Sequence, residues 1–347
     1  MDQDNLARLR KRYQGTRGND IHDPKFARVA AEQWRDDGRR TFPYSGVPTF
    51  LDLPLADTLD GLDVAMIGVP MDLGVTNRSG ARFGPRAIRT MERIGPYNHA
   101  LDVVPQSVLK CADVGDVPLN SRFDLNASIA DIERYFRDIK AAGVLPIAIG
   151  GDHSVSYPIL KALGDGRPVG MIHIDAHCDT SGEVEDIKFH HGGPFRHAVL
   201  EGVLDPERTV QIGIRGSAEY LWEFSYDSGM TVIHAEEFAA MGVKKVIETA
   251  RRVLAGGAYY ISIDVDGIDP AFTPGTGTPE VGGLSPREVQ ALLRGLVGAG
   301  DIVGGDVVEV APEYDANSNT AQVGAQMAFE ILSLIATDRT TDRTTDR

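Results

Sequence analysis

Apolar residues along this chain follow two rhythms. Short unbroken runs, such as Val64-Ala65-Met66-Ile67-Gly68-Val69-Pro70 and Val169 to Ile174, predict strands buried on both faces. Between such runs lie stretches with apolar residues three or four apart. Ile129, Ile132, Phe136 and Ile139 predict an amphipathic helix near 126–142, stopped by Gly143. Further strands are expected at Leu145–Ile149, Val210–Ile214, Thr231–Ile233, Tyr259–Ile263 and Asp301–Val310, and further helices after Ser154, near Lys244–Leu254, from Ser285 and over 320–336. Ser285-Pro286-Arg287-Glu288 carries a helix start: a capping hydroxyl, a proline at the first position and a glutamate at the third. Strands alternating with helices imply an α/β fold whose parallel central sheet is covered on both sides. In such sheets functional groups gather beyond the carboxyl ends of the strands.

The pattern weakens at both ends. Residues 1–45 are polar, with scattered apolar positions (Phe26, Val29, Ala30, Trp34), and read as an N-terminal arm with one short helix that covers a neighbouring subunit or closes a pocket. Residues 46–336 read as a single catalytic domain, and 337–347, a Thr-Asp-Arg repeat, as a disordered tail. The glycine-rich loop after the first strand (Gly74, Gly80, Gly84) reads as a tight turn whose arginines, Arg78, Arg82 and Arg86, pair with nearby acids rather than as an anion cradle.

Composition narrows the classes. The 347 residues are 42% hydrophobic and 24% charged, ordinary for a globular enzyme. There is no run of 18 apolar residues for a membrane span and no apolar core of a signal peptide, and two cysteines make no disulfide framework, so the cytoplasm is the expected home. A net charge of -15 without a basic stripe argues against nucleic acid and weakly favours cationic substrates.

Chemistry concentrates where strands end. Asp175, His177 and Asp179 follow the strand ending at Ile174, and alternation along an extended chain would bring them to one side. Asp264 and Asp266 repeat the device on another strand, and Asp152 and His153 end a third. Four carboxylates buried together without a cation would repel one another and take up protons. The oxygen-rich set with two imidazoles suits Mn(II), or Ni, Co or Fe, better than a structural zinc. Two ions sharing Asp175 and Asp264 use the six side chains economically, and two neighbouring ions can hold a hydroxide near neutral pH. Cys178 alternates to the opposite side and is left off the ligand set.

Gly150-Gly151-Asp152-His153-Ser154, Asp175-Ala176-His177-Cys178-Asp179-Thr180 and Ser262-Ile263-Asp264-Val265-Asp266-Gly267-Ile268-Asp269-Pro270 together resemble the three signatures of the ureohydrolase (arginase/agmatinase) family. The run Pro274-Gly275-Thr276-Gly277-Thr278-Pro279-Glu280-Val281-Gly282-Gly283-Leu284 is similar to the agmatinase-like branch. The resemblance covers about Pro48 to Ala336. It implies a three-layer α/β/α fold shared with deacetylase relatives and a binuclear Mn(II) centre, with Ni(II) also fitting. Hydrolysis of a guanidinium carbon would then release urea and an amine. By motif, one ion takes His153, Asp175, Asp179 and Asp264, and the other Asp175, His177, Asp264 and Asp266. The catalytic set implied is His191, as proton shuttle, Glu309, as the carboxylate gripping the guanidinium, and Asp179; Asp152 and Asp306 support the ligands from behind. Glu280 is expected to be buried among turns. The resemblance also implies a homo-oligomer, trimer or hexamer; a hetero-oligomer with a paralogue, in which this chain would be a structural subunit, is the non-enzymatic alternative.

Two departures bear on the substrate. The family often has Thr where this chain has Gly193, which is expected to leave more room or less order beside His191. The variable segment Ser181 to His190 carries Glu183, Glu185 and Asp186 against Lys188. If these acids reach the substrate tail they favour a cationic or neutral one, with agmatine the default, over guanidinobutyrate, guanidinopropionate or arginine; if they face solvent they decide nothing. Guanidine, or a substituted guanidine or biguanide such as metformin, is the alternative.

Overall fold

The computed structural model describes residues 2–18, 20–33, 44–92 and 94–345 and divides into two units, Met1–Gly46 and Val47–Arg347. The first holds two helices where the sequence suggested one, α1 (Gln3–Tyr13) and α2 (Pro24–Gln33); Trp34 lies outside the described residues.

In the second unit every expected apolar run becomes a strand. In chain order these are β1 (Val64–Val69), β2 (Cys111–Asp116), β3 (Leu145–Gly150), β4 (Val169–Ile174), β5 (Leu204–Ile214), β6 (Thr231–His234), β7 (Tyr259–Asp264) and β8 (Ile302–Val308). They form one parallel sheet in the order β2-β1-β3-β8-β7-β4-β5-β6. β2 had no sequence signal because Asp113, Gly115 and Asp116 interrupt its apolar run; Asp113 is buried against Arg89, which bonds both of its oxygens at 2.8 and 3.0 Å. The helices are α3 (Gly84–Arg89), α4 (Pro105–Val108), α5 (Leu125–Ala141), α6 (Ser156–Gly164), α7 (Pro194–Leu200), α8 (Glu223–Asp227), α9 (Ala235–Met241), α10 (Val243–Leu254), α11 (Pro286–Arg294) and α12 (Asn319–Thr345).

Successive residues of one strand enter different cores. Ile147, Ile172, Ile261 and Val307 join the cluster under α10, α11 and α12, whereas Ala148, Met171, Tyr260 and Val308 join the one under α5 and α6. Two apolar faces on one sheet require two helical layers, so the architecture is three-layer α/β/α. α5 starts at Asp124, whose carboxylate accepts the Ala127 N–H (3.0 Å), and buries Ile129, Ile132, Phe136 and Ile139. α11 has the expected capping box between Ser285 and Glu288.

The Thr-Asp-Arg repeat, expected to be disordered, continues α12 as far as Thr345. Extending a helix already nucleated by a buried segment costs little. Threonine hydroxyls bond back to carbonyls one turn earlier (Thr337 to Ser333, 2.8 Å; Thr341 to Thr337, 3.0 Å), and Asp338 accepts the Gly298 N–H at 2.9 Å.

The strand order puts the carboxyl ends of β3, β8, β7 and β4 side by side at the middle of the sheet. Phe136 shows how strongly one helix is tied to this frame. It is fully buried, and Phe136→Ala is expected to destabilise the chain by about 3–5 kcal/mol in equilibrium denaturation.

Candidate metal centre

Each of the four central strands delivers one piece of the site. After β3 the chain turns through Gly151-Asp152 into a 3-10 turn at His153–Val155. Only glycine fits at 151, since a Cβ there would lie 1.6 Å from the Met71 carbonyl oxygen. Asp152 is buried and accepts the N–H of Gly74 (2.8 Å) and of Ser154 (2.9 Å), pinning the loop after β1 to the start of this turn. Its pKa is pushed up to about 6, by burial first and then by the charge of Glu309.

β4 ends at Ile174, so Asp175, His177 and Asp179 lie in a bent loop, not an extended one. The alternation argument therefore fails in its detail, although the three residues do converge. Asp179 reaches the site through a left-handed backbone (φ 53°), which costs a non-glycine residue roughly 1–2 kcal/mol. Asp266 likewise sits in a 3-10 turn, Val265–Gly267, rather than on the strand.

All six expected ligands meet. His153 Nδ1 faces carboxylate oxygens of Asp179 (2.9 Å), Asp175 (3.1 Å) and Asp264 (3.2 Å). His177 Nδ1 faces Asp266 (3.2 Å) and Asp175 (3.4 Å). The tautomer of His153 follows from its other nitrogen. The Ser262 hydroxyl spends its hydrogen on Asp306 (2.7 Å), so at 2.8 Å it accepts from His153 Nε2. In the neutral ring Nδ1 then presents a lone pair to three carboxylates, and this buried atom has no hydrogen-bond partner. A lone pair and three anions aimed at one point are repulsive unless a cation sits between them, so the residues fit a metal.

The protein without metal must protonate instead. Burial opposes charging His153, but hydrogen bonds to Asp175, Asp179 and Asp264 hold its basicity well above 6.5. Burial, with the charges of Asp266 and Asp175, drives Asp264 well above the usual carboxylate range. Asp175 goes the other way: burial is outweighed by His173 beside it and by hydrogen bonds from His153, His173 and His177.

The residues behind the ligands are partly those expected. Asp306 lies inside β8, opposite Ser262, and not at the strand end; it accepts the hydroxyls of Ser156 (2.6 Å), Tyr260 (2.8 Å) and Ser262. Two supporting groups were missed. His173 donates from Nε2 to Asp175 (2.8 Å), while its Nδ1 accepts from Gln211 (3.1 Å), whose amide also donates to the Cys178 carbonyl (2.6 Å). Alternation back from Asp175 was the signal for His173. Thr76, on the loop after β1, sits on His191 Nε2 with its hydroxyl at 2.6 Å and its N–H at 3.1 Å. Nothing in the sequence pointed to Thr76.

Glu309 is the first residue past β8 and also left-handed (φ 65°). Its Oε1 accepts from the His153 N–H and from His191 Nδ1, both at 2.9 Å, and its buried Oε2 has no partner. Burial lowers the basicity of His191, but the charge and hydrogen bond of Glu309, then Asp179 and Asp152, raise it to about 9.

Other expectations are corrected. Gly193 opens no space: a Cβ there would lie 2.9 Å from the Ser181 carbonyl oxygen and 3.2 Å from the His190 ring, which occupy the room. Glu183, Glu185 and Asp186 are not brought to the cluster. Val184 pairs with Ile187 across a tight turn at Glu185 (φ 50°) and Asp186 (φ 64°), and all three acids are exposed. Glu183 lines a cavity of about 440 Å³ with Lys188, Arg196 and Glu201, away from the ligands. Glu280 is partly exposed rather than buried, 3.9 Å from His177 Nε2. Among the loop arginines, Arg82 pairs with Asp72, but Arg78 donates to the carbonyls of Thr276 (2.7 Å) and Gly277 (3.1 Å).

A sequence model described as the arginase family matches residues 62–333. A guanidinopropionase of Pseudomonas aeruginosa is 48% identical over 84% of this chain and 93% of its own length. A mitochondrial agmatinase of Gallus gallus is 44% identical over 85% of this chain and 87% of its own length. The solved structure of proclavaminate amidino hydrolase from Streptomyces clavuligerus superposes with a TM-score of 0.82 at 37% identity, covering 86% of this chain and 100% of that one.

The His191–Glu309 pair has a signed consequence for the metal-free protein. The folded chain holds the His191 proton more tightly than the unfolded chain, so the stability it contributes is full below pH 6.5 and is lost as pH rises through about 9. The stability gap between wild type and His191→Asn, measured by denaturation across this range, is expected to shrink as pH rises; a constant gap refutes the assignment.

Proposed function

Because this chain belongs to the arginase family, whose named relatives hydrolyse guanidino compounds, we propose that it is a two-metal amidinohydrolase that splits a guanidino substrate into urea and an amine. The observation that carries the proposal is the convergence of His153, Asp175, His177, Asp179, Asp264 and Asp266, with the buried Nδ1 of His153 aimed at three carboxylates. His153, Asp175, Asp179 and Asp264 would hold one ion, and Asp175, His177, Asp264 and Asp266 the other. When bound, the pair balances the four carboxylates and supplies a water-derived nucleophile near neutral pH.

The protein's own groups do the rest. Glu309 leaves Oε2 free, and a buried carboxylate oxygen without a donor suits the N–H of a planar guanidinium. Its Oε1 keeps His191 in place on the same side. His191, held between Glu309 and Thr76, stands beside the guanidinium position and can pass a proton to the departing amine. The His153 N–H holds the same Glu309 oxygen, and Asp179 faces the His153 ring.

For the substrate tail, the excess of Glu183, Glu185 and Asp186 over Lys188, with the net charge of -15, supports an agmatine-type cation. Their exposure limits this to a field acting through solvent. A guanidino acid is the second reading, favoured by the likeness to a guanidinopropionase. Guanidine, or a substituted guanidine or biguanide such as metformin, is the remaining alternative. The proposal includes Mn(II), with Ni(II) as the other fitting ion, a homo-oligomer of three or six chains, and the cytoplasm. No helix among the described residues is long and apolar enough to cross a membrane.

Urea release from agmatine, guanidinobutyrate, guanidinopropionate, arginine, guanidine and metformin, assayed separately with Mn(II) and Ni(II), tests the reading. Agmatine is expected to be fastest, and faster release from guanidinopropionate replaces the cationic tail by the acidic one. Asp264→Ala is expected to lose both ions and all urea release; surviving turnover would falsify the shared-ligand assignment. Glu309→Gln is expected to keep both ions and lower kcat/KM by about 10–100-fold, the weight of a charge-assisted hydrogen bond.

A further inference from the structure

Arg215 follows β5 directly and is only 6% exposed. Among the described residues its guanidinium is in no ion pair. It instead donates six hydrogen bonds to five carbonyls: Gly213 (2.9 Å), Asp266 (2.6 Å), Gly267 (3.2 Å), Glu280 (2.6 and 3.2 Å) and Val281 (3.2 Å). Its own N–H donates to the carbonyl of Ala176, between Asp175 and His177, at 2.8 Å. One residue thus ties the loop after β4 to the turn after β7 and to the loop near residue 280.

These three segments carry one half of the centre. Asp266 accepts the Ala176 N–H (3.1 Å) and the Thr278 hydroxyl (3.0 Å), and faces His177. Glu280 stands beside the far nitrogen of the same histidine. Thr278 and Glu280 belong to the segment whose carbonyls Arg215 grips. The His153 half is held by Ser262, Asp306 and Glu309, none of which Arg215 touches.

We propose that Arg215 is the positioning residue of the His177–Asp266 half of the centre, fixing the Asp266 turn and the 278–281 segment against the Asp175–His177 loop. The proposal rests on the two-ion reading above. The physical reason for arginine is its donor geometry. Five carbonyls from three segments converge on one point, and a planar fork with up to five N–H groups meets them all at once. Lysine brings three donors at one point, glutamine two and no charge, and methionine none. As donors are removed the Asp266 turn loses its anchor, while the His153 side keeps its own.

The experiment is titration of the metal-free protein with Mn(II), followed by calorimetry and by electron paramagnetic resonance, for wild type, R215K, R215Q and R215M, with circular dichroism to confirm the fold. Wild type is expected to bind two Mn(II) as a coupled pair. In R215M one ion stays near wild-type affinity and the other weakens by about 10–100-fold, the usual effect of losing a group that supports a ligand. At limiting Mn(II) the spectrum then changes from a coupled pair to an isolated ion, with R215K and R215Q falling between. Two ions at wild-type affinity in R215M overturn the proposal. Equal weakening of both ions, or unfolding of all three variants, also overturns it by making Arg215 a general prop of the fold. A wild-type chain that binds fewer than two Mn(II) removes the two-ion reading itself, and this proposal with it.

Discussion

Crowded negative charge is the constraint around which the second unit is built. Asp175, Asp179, Asp264 and Asp266 are all nine-tenths or more buried and aim at one small volume with two imidazoles. Even at an effective dielectric of 20, two like charges about 4 Å apart cost roughly 4 kcal/mol. Several such pairs together approach the whole stability of a domain. Only a cation, or protons in its place, makes the arrangement tolerable. Without metal, burial and the neighbouring charges push Asp264 above the usual carboxylate range while the imidazoles hold Asp175 below it.

The sheet supplies the rigidity this needs. Four adjacent central strands end at the site, and residues deeper in those strands form its floor: His173 on β4, Ser262 on β7 and Asp306 on β8. Ser262 stands opposite both His173 and Asp306 in the register of the sheet, so the hydroxyl that fixes His153 is itself fixed by main-chain pairing. At the rim of the site Asp179 and Glu309 adopt left-handed backbone. These are the two positions at which a carboxylate must turn out of the strand direction to face the ligands or the open side, consistent with strain held at working sites by a rigid surround.

Two supports of different chemistry serve the two halves. Behind His153 stands the Ser262 hydroxyl, itself bonded to the Asp306 carboxylate, which takes the Nε2 hydrogen and leaves Nδ1 facing forward. Behind Asp266 stands a guanidinium spread over backbone carbonyls. The first fixes the orientation of a ring and the second the position of a loop. The acid-bearing hairpin at residues 183–187 has no such support and is exposed. The carboxylate–imidazole cluster is therefore rigidly held, and the acids of the hairpin lie outside that frame.

The sequence by itself determined the alternation of strands and helices and the two-faced sheet, and it singled out the six side chains that converge and Glu309, because each depends on local periodicity or on a short motif. It misjudged what depends on distant neighbours. β2 escaped because its buried Asp113 is acceptable only opposite Arg89. The tail became helical because α12 was already nucleated against the core. Gly193 looked like vacant space until the His190 ring filled it. The convergence of Asp175, His177 and Asp179 was foreseen, but its mechanism was not: bends beyond Ile174, rather than strand alternation, bring them together. Thr76 and Arg215 carry no motif at all. Their roles exist only because the fold sets residues far apart in sequence within hydrogen-bond reach, and that proximity comes from strand order and register, which no local pattern of side chains encodes.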